Sequence, residues 1–527
     1  MKHSKLIIND LIKSQVETSG GLDSFKRKIS KKYKITFPSN VQLLKAYHKL
    51  LKNKEVKKSK GVEFLLITSP VRSLSGIVNV SVLTKEYPCP GKCIYCPKEI
   101  GIPKSYLSGE PAVERAKSLN YLPYDQTKER IIMLEDQGHP VDKIDLRIIG
   151  GTWSFYPKQY QTWFIKECFN ACNDRKSKTL LEAQKLNEKS KHRVIGLSIE
   201  TRPDFINKKE IKRLRKLGIT KVEIGVQSID NNILKLNKRN HGVEATIKAT
   251  QLLKDAGIKV SYQMMLNLLG STPKKDLEEF QKIFRDSNFK PDLLKIYPCA
   301  LLKNTPLYKR YLNKEYKPYS MKELSETIKE IKKITPYYTR IERIIRDIPA
   351  QKIVTGPTKV SNLRQIIHQE MKEEGWQCKC IRCREVKNRF DKEEKLYLFR
   401  EDYESSGGKE IFLTFENKNR DKLYSLLRLR IPSSYFKKTK HFIKVLQDSS
   451  IIRELHTYGK LTAISKKGSS SQHRGLGKRL IKEAEKITKQ EFKLKNIAII
   501  SGIGVREYYR KRDYRLKESY MIKKSTN

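Results

Sequence analysis

The sequence contains no apolar run long enough to span a bilayer, and Met1-Lys2-His3-Ser4-Lys5 does not lead into the hydrophobic core of a signal peptide. These absences argue against membrane-spanning helices and a secretory leader, and they predict a cytoplasmic protein. Acid is scarce relative to base: 58 Asp and Glu stand against 110 Lys and Arg, a formal net charge of +52. Such a surface suits a polyanionic partner, and RNA is the first choice because phosphates bound by Lys and Arg release counterions. A lysine-biased composition that raises the charge of every surface is the plain alternative. No RRM or KH signature and no solenoid-period repeat is present, so any RNA contact must be built on the domains themselves. The nine cysteines are not spread as a disulfide framework. Most fall in two tight clusters, the pattern of metal sites in a reducing compartment.

At 527 residues the prior is two to four domains, each able to bury its own core. Residues 1–70 alternate short amphipathic helical patterns with basic clusters (Lys26-Arg27-Lys28, Lys31-Lys32, Lys52 through Lys60), as a basic helical segment that grips nucleic acid would, or simply a solvated charged face. From 71 to 350, strand-like runs alternate with helical ones. Gly76–Leu83, Ile144–Ile149, Arg193–Ile199, Lys221–Val226, Lys259–Met265 and Leu293–Tyr297 read as strands, with helices such as Lys208–Leu217 and Gly242–Ala256 between them. Repeated strand–loop–helix units predict an α/β fold with a partial parallel barrel, whose chemistry lies at the C-terminal ends of the strands. A cysteine linker over 351–395 leads to a second α/β unit over 396–527. That unit has strands near Ile411–Phe415, Tyr424–Ile431, Ile451–Leu455 and Ile497–Ser501.

The first cysteine cluster is Cys89, Cys93 and Cys96 in Tyr87-Pro88-Cys89-Pro90-Gly91-Lys92-Cys93-Ile94-Tyr95-Cys96-Pro97. Three thiolates at CxxxCxxC leave one iron of a four-iron cluster uncapped, whereas electron-transfer clusters usually take four. A zinc loop short of a ligand, or three structural thiols, are the alternatives, but the prolines and glycine make this a loop, where core thiols seldom gather. With an aromatic residue before the third cysteine, the spacing resembles the radical-SAM superfamily. Gly150-Gly151-Thr152 ends the next strand, and its glycines let backbone approach a ligand closely. Glu200, Arg202, Asp204 and Gln227 lie at the two strand ends that follow, either as a polar rim or as groups orienting S-adenosylmethionine (SAM) and substrate. Lys295 and Tyr297 sit at a later strand end.

The second cluster, Cys378, Cys380 and Cys383, supplies three ligands at CxCxxC for zinc, which prefers four. His368 and Cys299 are the nearest chemical choices for the fourth. Cys168 and Cys172, at i and i+4 among Trp163, Phe164 and Phe169, read as core thiols.

Gln472-His473-Arg474-Gly475-Leu476-Gly477 opens a helix over Lys478–Gln490 and matches the Q/RxxGxG/A pattern of GNAT acetyltransferases. Glycines there let amides at a helix N-terminus meet the pyrophosphate of coenzyme A. A strand ending Glu454-Leu455-His456-Thr457 precedes it, and Tyr508-Tyr509 follows the last core strand, where such enzymes keep a tyrosine general acid.

A radical-SAM loop, a cysteine linker and a GNAT unit in this order resemble the catalytic subunit of Elongator and its stand-alone archaeal and bacterial relatives. The resemblance covers roughly residues 65–525. It is carried by Arg72-Ser73-Leu74-Ser75-Gly76, the cysteine loop, Gly138-His139-Pro140-Val141-Asp142-Lys143, Glu200-Thr201-Arg202-Pro203-Asp204, Glu223–Ser228, Arg453–His456 and Tyr508-Tyr509-Arg510-Lys511. It implies that Cys89, Cys93 and Cys96 hold a [4Fe–4S] cluster that cleaves SAM to a 5′-deoxyadenosyl radical. The radical then takes hydrogen from the methyl group of acetyl-CoA, and the acetyl unit joins C5 of uridine 34 in tRNA to give carboxymethyluridine. By position, Lys143 matches a barrel-side contact to acetyl-CoA, while Glu454, Leu455, His456, Thr457, Leu476, Gly477, Lys478 and Tyr509 match GNAT-side contacts. Lys295, Tyr508 and Tyr509 are the catalytic candidates. A radical cannot be carried through solvent, so the two pockets are expected to share one closed cavity. Partner subunits of the Elongator type, or a homodimer, stay open. Another radical-SAM tRNA-modifying enzyme, a protein-lysine acetyltransferase and a non-catalytic RNA scaffold are the rivals. The chain departs from the resembled pattern at Leu266-Asn267-Leu268-Leu269-Gly270, which lacks the usual prolines, and at Asp513, which replaces a glycine.

Overall fold

The computed structural model describes residues 3–14, 16–68, 73, 75–387, 389–391, 393–459 and 475–525. Arg72 and Leu74 of the resembling stretch, and Gln472, His473 and Arg474 of the glycine-rich loop, lie outside the described residues.

Seven strands form one parallel sheet in chain order: β1 (Val78–Leu83), β2 (Lys143–Ile149), β3 (Arg193–Thr201), β4 (Lys221–Gln227), β5 (Lys259–Leu266), β6 (Leu293–Pro298) and β7 (Arg340–Ile344). β1 and β7 do not pair, so the sheet is a half-barrel with an open seam between them. The pattern of β2 shows why it curls. Ile144, Leu146 and Ile148 are buried against helices, while Lys143, Asp145 and Arg147 alternate with them on the other face. The intervening helices carry their own stop and start signals. In Lys208–Leu217, the Asn207 side chain accepts from the Glu210 amide, and Gly218 closes the helix in the left-handed region.

The second sheet runs β13-β14-β12-β11-β10-β9-β8, from β8 (Tyr397–Ser405), β9 (Gly408–Glu416), β10 (Leu423–Ile431), β11 (Ser449–Thr457), β12 (Asn496–Ile499), β13 (Arg515–Lys517) and β14 (Tyr520–Lys524). It is mixed: β11 and β12 pair in parallel and the other neighbours antiparallel. The helix Leu476–Gln490 packs on it through Leu476, Leu480, Ile481, Ala484 and Ile487. Ahead of both sheets, helices Ser4–Lys13, Ser19–Tyr33, Asn40–Lys52 and Lys60–Leu66 enclose a small core of their own around Ile7, Leu43 and Tyr47.

The second sheet docks on the N-terminal ends of the half-barrel strands through buried ion pairs. Asp292, just before β6, takes both Nη atoms of Arg453 from β11 at 3.0 and 2.5 Å, and Lys259 at the start of β5 reaches Glu454 at 3.0 Å. Arg428 of β10 donates to the Tyr338 carbonyl at 2.6 Å.

The segment read as a linker is more built than expected. Its helix Leu363–Glu373 buries Leu363, Ile367 and Met371 in the barrel's core. The sequence reading also missed β7, β8, β13 and β14. Cys168 and Cys172 are core thiols, and burial pushes Cys168 up to about 12. Among the described residues no helix is long and apolar enough to cross a membrane.

Candidate functional site

The strands deliver their C-terminal ends into a cavity of about 440 Å³. Cys89, Cys93 and Cys96 line it, together with Gly150, Gly151, Thr152, Glu200, Arg202, Gln227 and Lys295. Segments separated by some two hundred residues thus converge because parallel strands all finish on one side. Nine lysines and arginines line the cavity against three carboxylates.

Gly91 lies within the cysteine loop like a notch. A Cβ there would stand 3.5 and 3.6 Å from the sulfurs of Cys93 and Cys89, and 2.7 Å from Nη1 of Arg202. That Arg202 nitrogen is buried without a hydrogen-bond partner, while Nε and Nη2 grip Asp204 at 2.9 and 2.8 Å. Arg239 brings Nη1 to 3.4 Å from Cys93 Sγ. Burial pushes the Cys93 thiol up, but Arg239 outweighs it and holds the group below the usual thiol range; Cys96 is pushed up to about 12 by burial and by Cys93, which Lys104 and Arg346 do not offset. Arg239 was not singled out in the sequence, where it sits in a polar loop with no motif around it. Sulfurs grouped about a glycine notch, with orphan guanidinium nitrogens beside them, fit an anionic iron–sulfur cluster.

Gly150 has φ 146°, and a Cβ on it would fall 2.0 Å from Thr84 Oγ1, so only glycine fits where the chain turns into the cavity. Gln227 holds a left-handed φ of 71° at the end of β4. Below this level the half-barrel's lumen is filled with matched charges. Glu200 takes the Tyr106 hydroxyl at 2.8 Å, Gln263 at 3.1 Å and Lys295 at 3.3 Å. Lys295 also pairs with Glu223, which meets Arg147 at 3.1 Å and Lys221 at 3.3 Å; Lys221 continues to Glu342 at 2.9 Å. Lys295 is 2 % exposed, and its charge is committed to these carboxylates.

The turn that departs from the resembled pattern is held by its own network. Asn267 is left-handed (φ 59°), takes Tyr316 Oη and the Tyr319 amide on its side-chain oxygen, and gives its own amide to Asp276. Asp513 likewise occupies a left-handed position (φ 67°), which explains why a glycine is at home there and an aspartate tolerable.

The acetyltransferase-like residues gather at the other end of the half-barrel. A Cβ on Gly477 would lie 3.3 Å from the Tyr508 hydroxyl, 3.6 Å from Thr457 Oγ1 and 3.8 Å from Leu455 Cδ2. Gly475 stands at the N-cap of the helix that begins at Leu476, and among the described residues no side chain caps it. Strand alternation divides the expected run. Leu455 and Thr457 face this turn, whereas Glu454 meets Lys259 and Arg428, and His456 reaches the Ser75 carbonyl at 2.9 Å. Burial acts to raise the Glu454 carboxyl, yet Lys259 and Arg428 hold it well below the carboxylate range. Tyr508 lies under the Arg512 guanidinium (3.6 Å to the ring), while Tyr509 packs in the sheet's core against Tyr514. Leu476 is buried, Lys478 is exposed, and Lys143, at the start of β2, is on this side rather than in the cavity.

The expected single closed chamber is therefore not what the described residues form: the cavity is lined by barrel residues, and the Gly477 turn lies at the opposite strand ends. The unpaired edges β1 and β7 run between the two places. Asn79, Ser81 and Arg343 of the edge strands line the cavity above, and below it His456, stacked on Tyr458 at 4.2 Å, touches Ser75 before β1 while Tyr458 meets Arg340 of β7 at 3.4 Å.

The sulfurs of Cys378, Cys380 and Cys383 lie within 4.8 Å of one another, as a mononuclear ion requires. His368 Nε2 is 3.9 Å from Cys383 Sγ, and burial pushes its imidazole down to about 4, so it is neutral near pH 7. Cys299, the other candidate for the fourth ligand, instead packs with Ile94, Leu301 and Tyr316.

The chain matches the Radical SAM superfamily over residues 88–284 and the Radical_SAM C-terminal domain over 291–373. It is 48% identical over 473 residues to a Methanocaldococcus infernus protein named tRNA uridine(34) acetyltransferase, covering 87% of this chain and 88% of that one. To human Elongator complex protein 3 it is 36% identical over 547 residues, covering 98% and 96%. The solved structure of Methanocaldococcus infernus Elp3 lacking residues 1–46 superposes with a TM-score of 0.75 at 46% identity, covering 86% of this chain and all of that one. With a half-barrel, a cysteine loop at its mouth and relatives alike along nearly their whole length, the chain belongs to the family of tRNA uridine(34) acetyltransferases and Elongator complex protein 3.

Proposed function

We propose that this chain modifies the wobble uridine of tRNA, joining the acetyl unit of acetyl-CoA to C5 of uridine 34 so that thioester hydrolysis leaves 5-carboxymethyluridine. The observation that carries the reading is the Gly91 notch, where two cysteine sulfurs and an unpaired Arg202 nitrogen meet at the mouth of a strongly cationic cavity. Cys89, Cys93 and Cys96 are the residues to hold a [4Fe–4S] cluster, which with SAM supplies one-electron, hydrogen-abstracting chemistry when bound. Gly150 and Gly151 admit the close approach of a ligand's amino and carboxylate groups to backbone. Glu200 and Gln227 offer acceptors and donors for its sugar, and Lys295 holds Glu200 in place rather than moving a proton itself.

The second sheet acts as a GNAT-like unit. Amides at the Gly477 helix start suit the pyrophosphate of coenzyme A, and Tyr508, whose hydroxyl is kept protonated by burial and lies beside that turn, is the candidate acid for the thioester. The seam between β1 and β7, with His456 and Tyr458 at its base and Lys143 on the same side, is the path by which the acetyl group reaches the cavity. The cationic lining receives the phosphates flanking the base. Cys378, Cys380, Cys383 and His368 are assigned to zinc, tying the connecting segment between the two units.

Anaerobic reconstitution with iron, sulfide, SAM, acetyl-CoA and tRNA, followed by nucleoside mass spectrometry, tests this. Carboxymethyluridine is expected from the native chain, and Cys93→Ser should abolish it with tRNA affinity kept. Acetylated lysine beside unmodified tRNA would overturn the proposal.

A further inference from the structure

In a chain with 110 lysines and arginines, most cations belong on the surface. Arg239 and Arg202 are 6 % and 5 % exposed, and both are sunk beside the cysteine loop. Arg202 has its own counter-charge in Asp204. Arg239 does not: among the described residues no carboxylate oxygen lies within 4.0 Å of it. Its Nη2 is spent on the neutral carbonyl of Gly225, its Nη1 lies 3.4 Å from Cys93 Sγ, and its Nε has no partner. A buried guanidinium without an anion is costly, so the fold must supply one. Asp204, committed to Arg202, helps from farther off, and among the described residues the Cys93 sulfur is the anionic group in hydrogen-bond reach.

We infer that Arg239, backed by Arg202, sets the reduction potential of the iron–sulfur centre by hydrogen-bonding the Cys93 sulfur and placing a fixed positive charge against it. The inference rests on the assignment of Cys89, Cys93 and Cys96 to that centre. Three thiolates on a [4Fe–4S]²⁺ core carry one net negative charge, and one electron from an external donor makes it two. A nearby cation favours the second state, and in a water-poor site that preference is strong. The geometry explains a choice of arginine over lysine: the planar fork reaches the Gly225 carbonyl and the sulfur at once, which holds the charge at a fixed distance. Gly225 makes room for it, since a Cβ there would fall 2.8 Å from Arg239 Nη2. Arg239 is thus a positioning and tuning residue for the centre, placed in the loop after the helix Asn231–Leu236.

The test is a redox titration of the reconstituted full-length chain, read by electron paramagnetic resonance without tRNA or acetyl-CoA. Arg239→Gln is expected to bind native amounts of iron and to show, at a fixed potential, a reduced-to-oxidised ratio at least tenfold lower, about 59 mV for a one-electron couple. Arg239→Lys should fall between the two. Cleavage of SAM by Arg239→Gln should be slow with dithionite and recover with the stronger reductant titanium(III) citrate. An unmoved midpoint in Arg239→Gln would overturn the inference. So would an Arg239→Lys as displaced as Arg239→Gln, or a loss of more than half the iron, which would make the residue one of assembly. A native chain that binds no four-iron centre would instead sink the assignment of the cysteines.

Discussion

The contact between the two sheets gives a measurable consequence. Asp292 is fully buried, and its carboxylate takes Arg453 at 3.0 and 2.5 Å and the Val260 amide at 2.8 Å, with Arg428 at 3.7 Å and Lys254 at 3.9 Å. Asp292→Asn keeps the shape and removes the charge. Three buried cations then share what remains, Glu410 at 2.9 Å from Arg453 and Glu454 at 2.8 Å from Arg428. Breaking a buried pair from one side costs about 3–5 kcal/mol, a large part of the roughly 5–15 kcal/mol that holds a typical domain together. Because the cost falls on the docking surface, we expect the two units to part before either unfolds. Urea titration should show an early transition in Asp292→Asn that the native chain lacks, and limited proteolysis should cut between the units. Burial acts to raise this carboxyl, but Arg453 and Lys254 depress it far below its usual value. Its stabilisation is therefore complete above the unfolded carboxylate value near 3.9 and is lost only as the pH falls toward the depressed folded value. The titration of Asp292 itself adds no pH dependence from pH 5 to 8, but its charge also supports the proton on Lys254, so the variant's deficit should be largest near pH 5 and shrink as the pH rises toward 8. A loss below about 1 kcal/mol, the range of an exposed ion pair, would refute the argument that this cluster holds the units together.

Tyr508→Phe should lower acetyl-CoA hydrolysis by about 10²-fold or more, the usual worth of a positioned acid, with thermal stability unchanged. Tyr509→Ala should instead cost about 3–5 kcal/mol of stability, as large-to-small core changes do, read by chemical denaturation. Dialysis against a strong chelator should remove one zinc per chain and lower the melting temperature, and Cys380→Ser should bind none by metal analysis. Lys254 is pushed down to about 7 by burial. Between pH 7 and about 10.4 the unfolded chain binds a proton that the folded chain does not, so stability should rise with pH by up to about 1.4 kcal/mol per unit. Lys254→Met should flatten that slope in urea midpoints taken from pH 7 to 10.

The sequence declared most of the half-barrel because its strands end in punctuation: Gly150-Gly151, Arg202-Pro203 and Gln227-Ser228 each follow a run of alternating or continuous apolar residues. β7 escaped because Arg340, Glu342 and Arg343 make it look like a charged turn; these side chains are absorbed by Glu385, Lys221 and Asp347. The helix Leu363–Glu373 escaped in a stretch judged by its cysteines, although Leu363, Ile367 and Met371 stand at the spacing of a buried stripe. The contiguous run Glu454–Thr457 looked like one binding strip, and only the sheet shows that alternate residues serve opposite faces. The side of the half-barrel on which the second unit docks depends on Asp292, Lys259 and Lys254 meeting partners 161, 195 and 151 residues away, and no local pattern announces that. Arg239 left no trace because its role is defined by burial.

A closed eight-stranded barrel would seal its axis on every side. Here the sheet stops one neighbour short, and β1 and β7 leave a lateral doorway whose sill is the stacked pair His456 and Tyr458. If the acetyl group follows the proposed path, it passes beside the plugged axis, and the groups it must displace are the Ser75–His456 and Arg340–Tyr458 contacts rather than the ion pairs within the axis. On the proposed path, widening or narrowing that gap at Ser75 or Tyr458 should change which acyl-CoA is used while SAM cleavage and acetyl-CoA hydrolysis stay as they are.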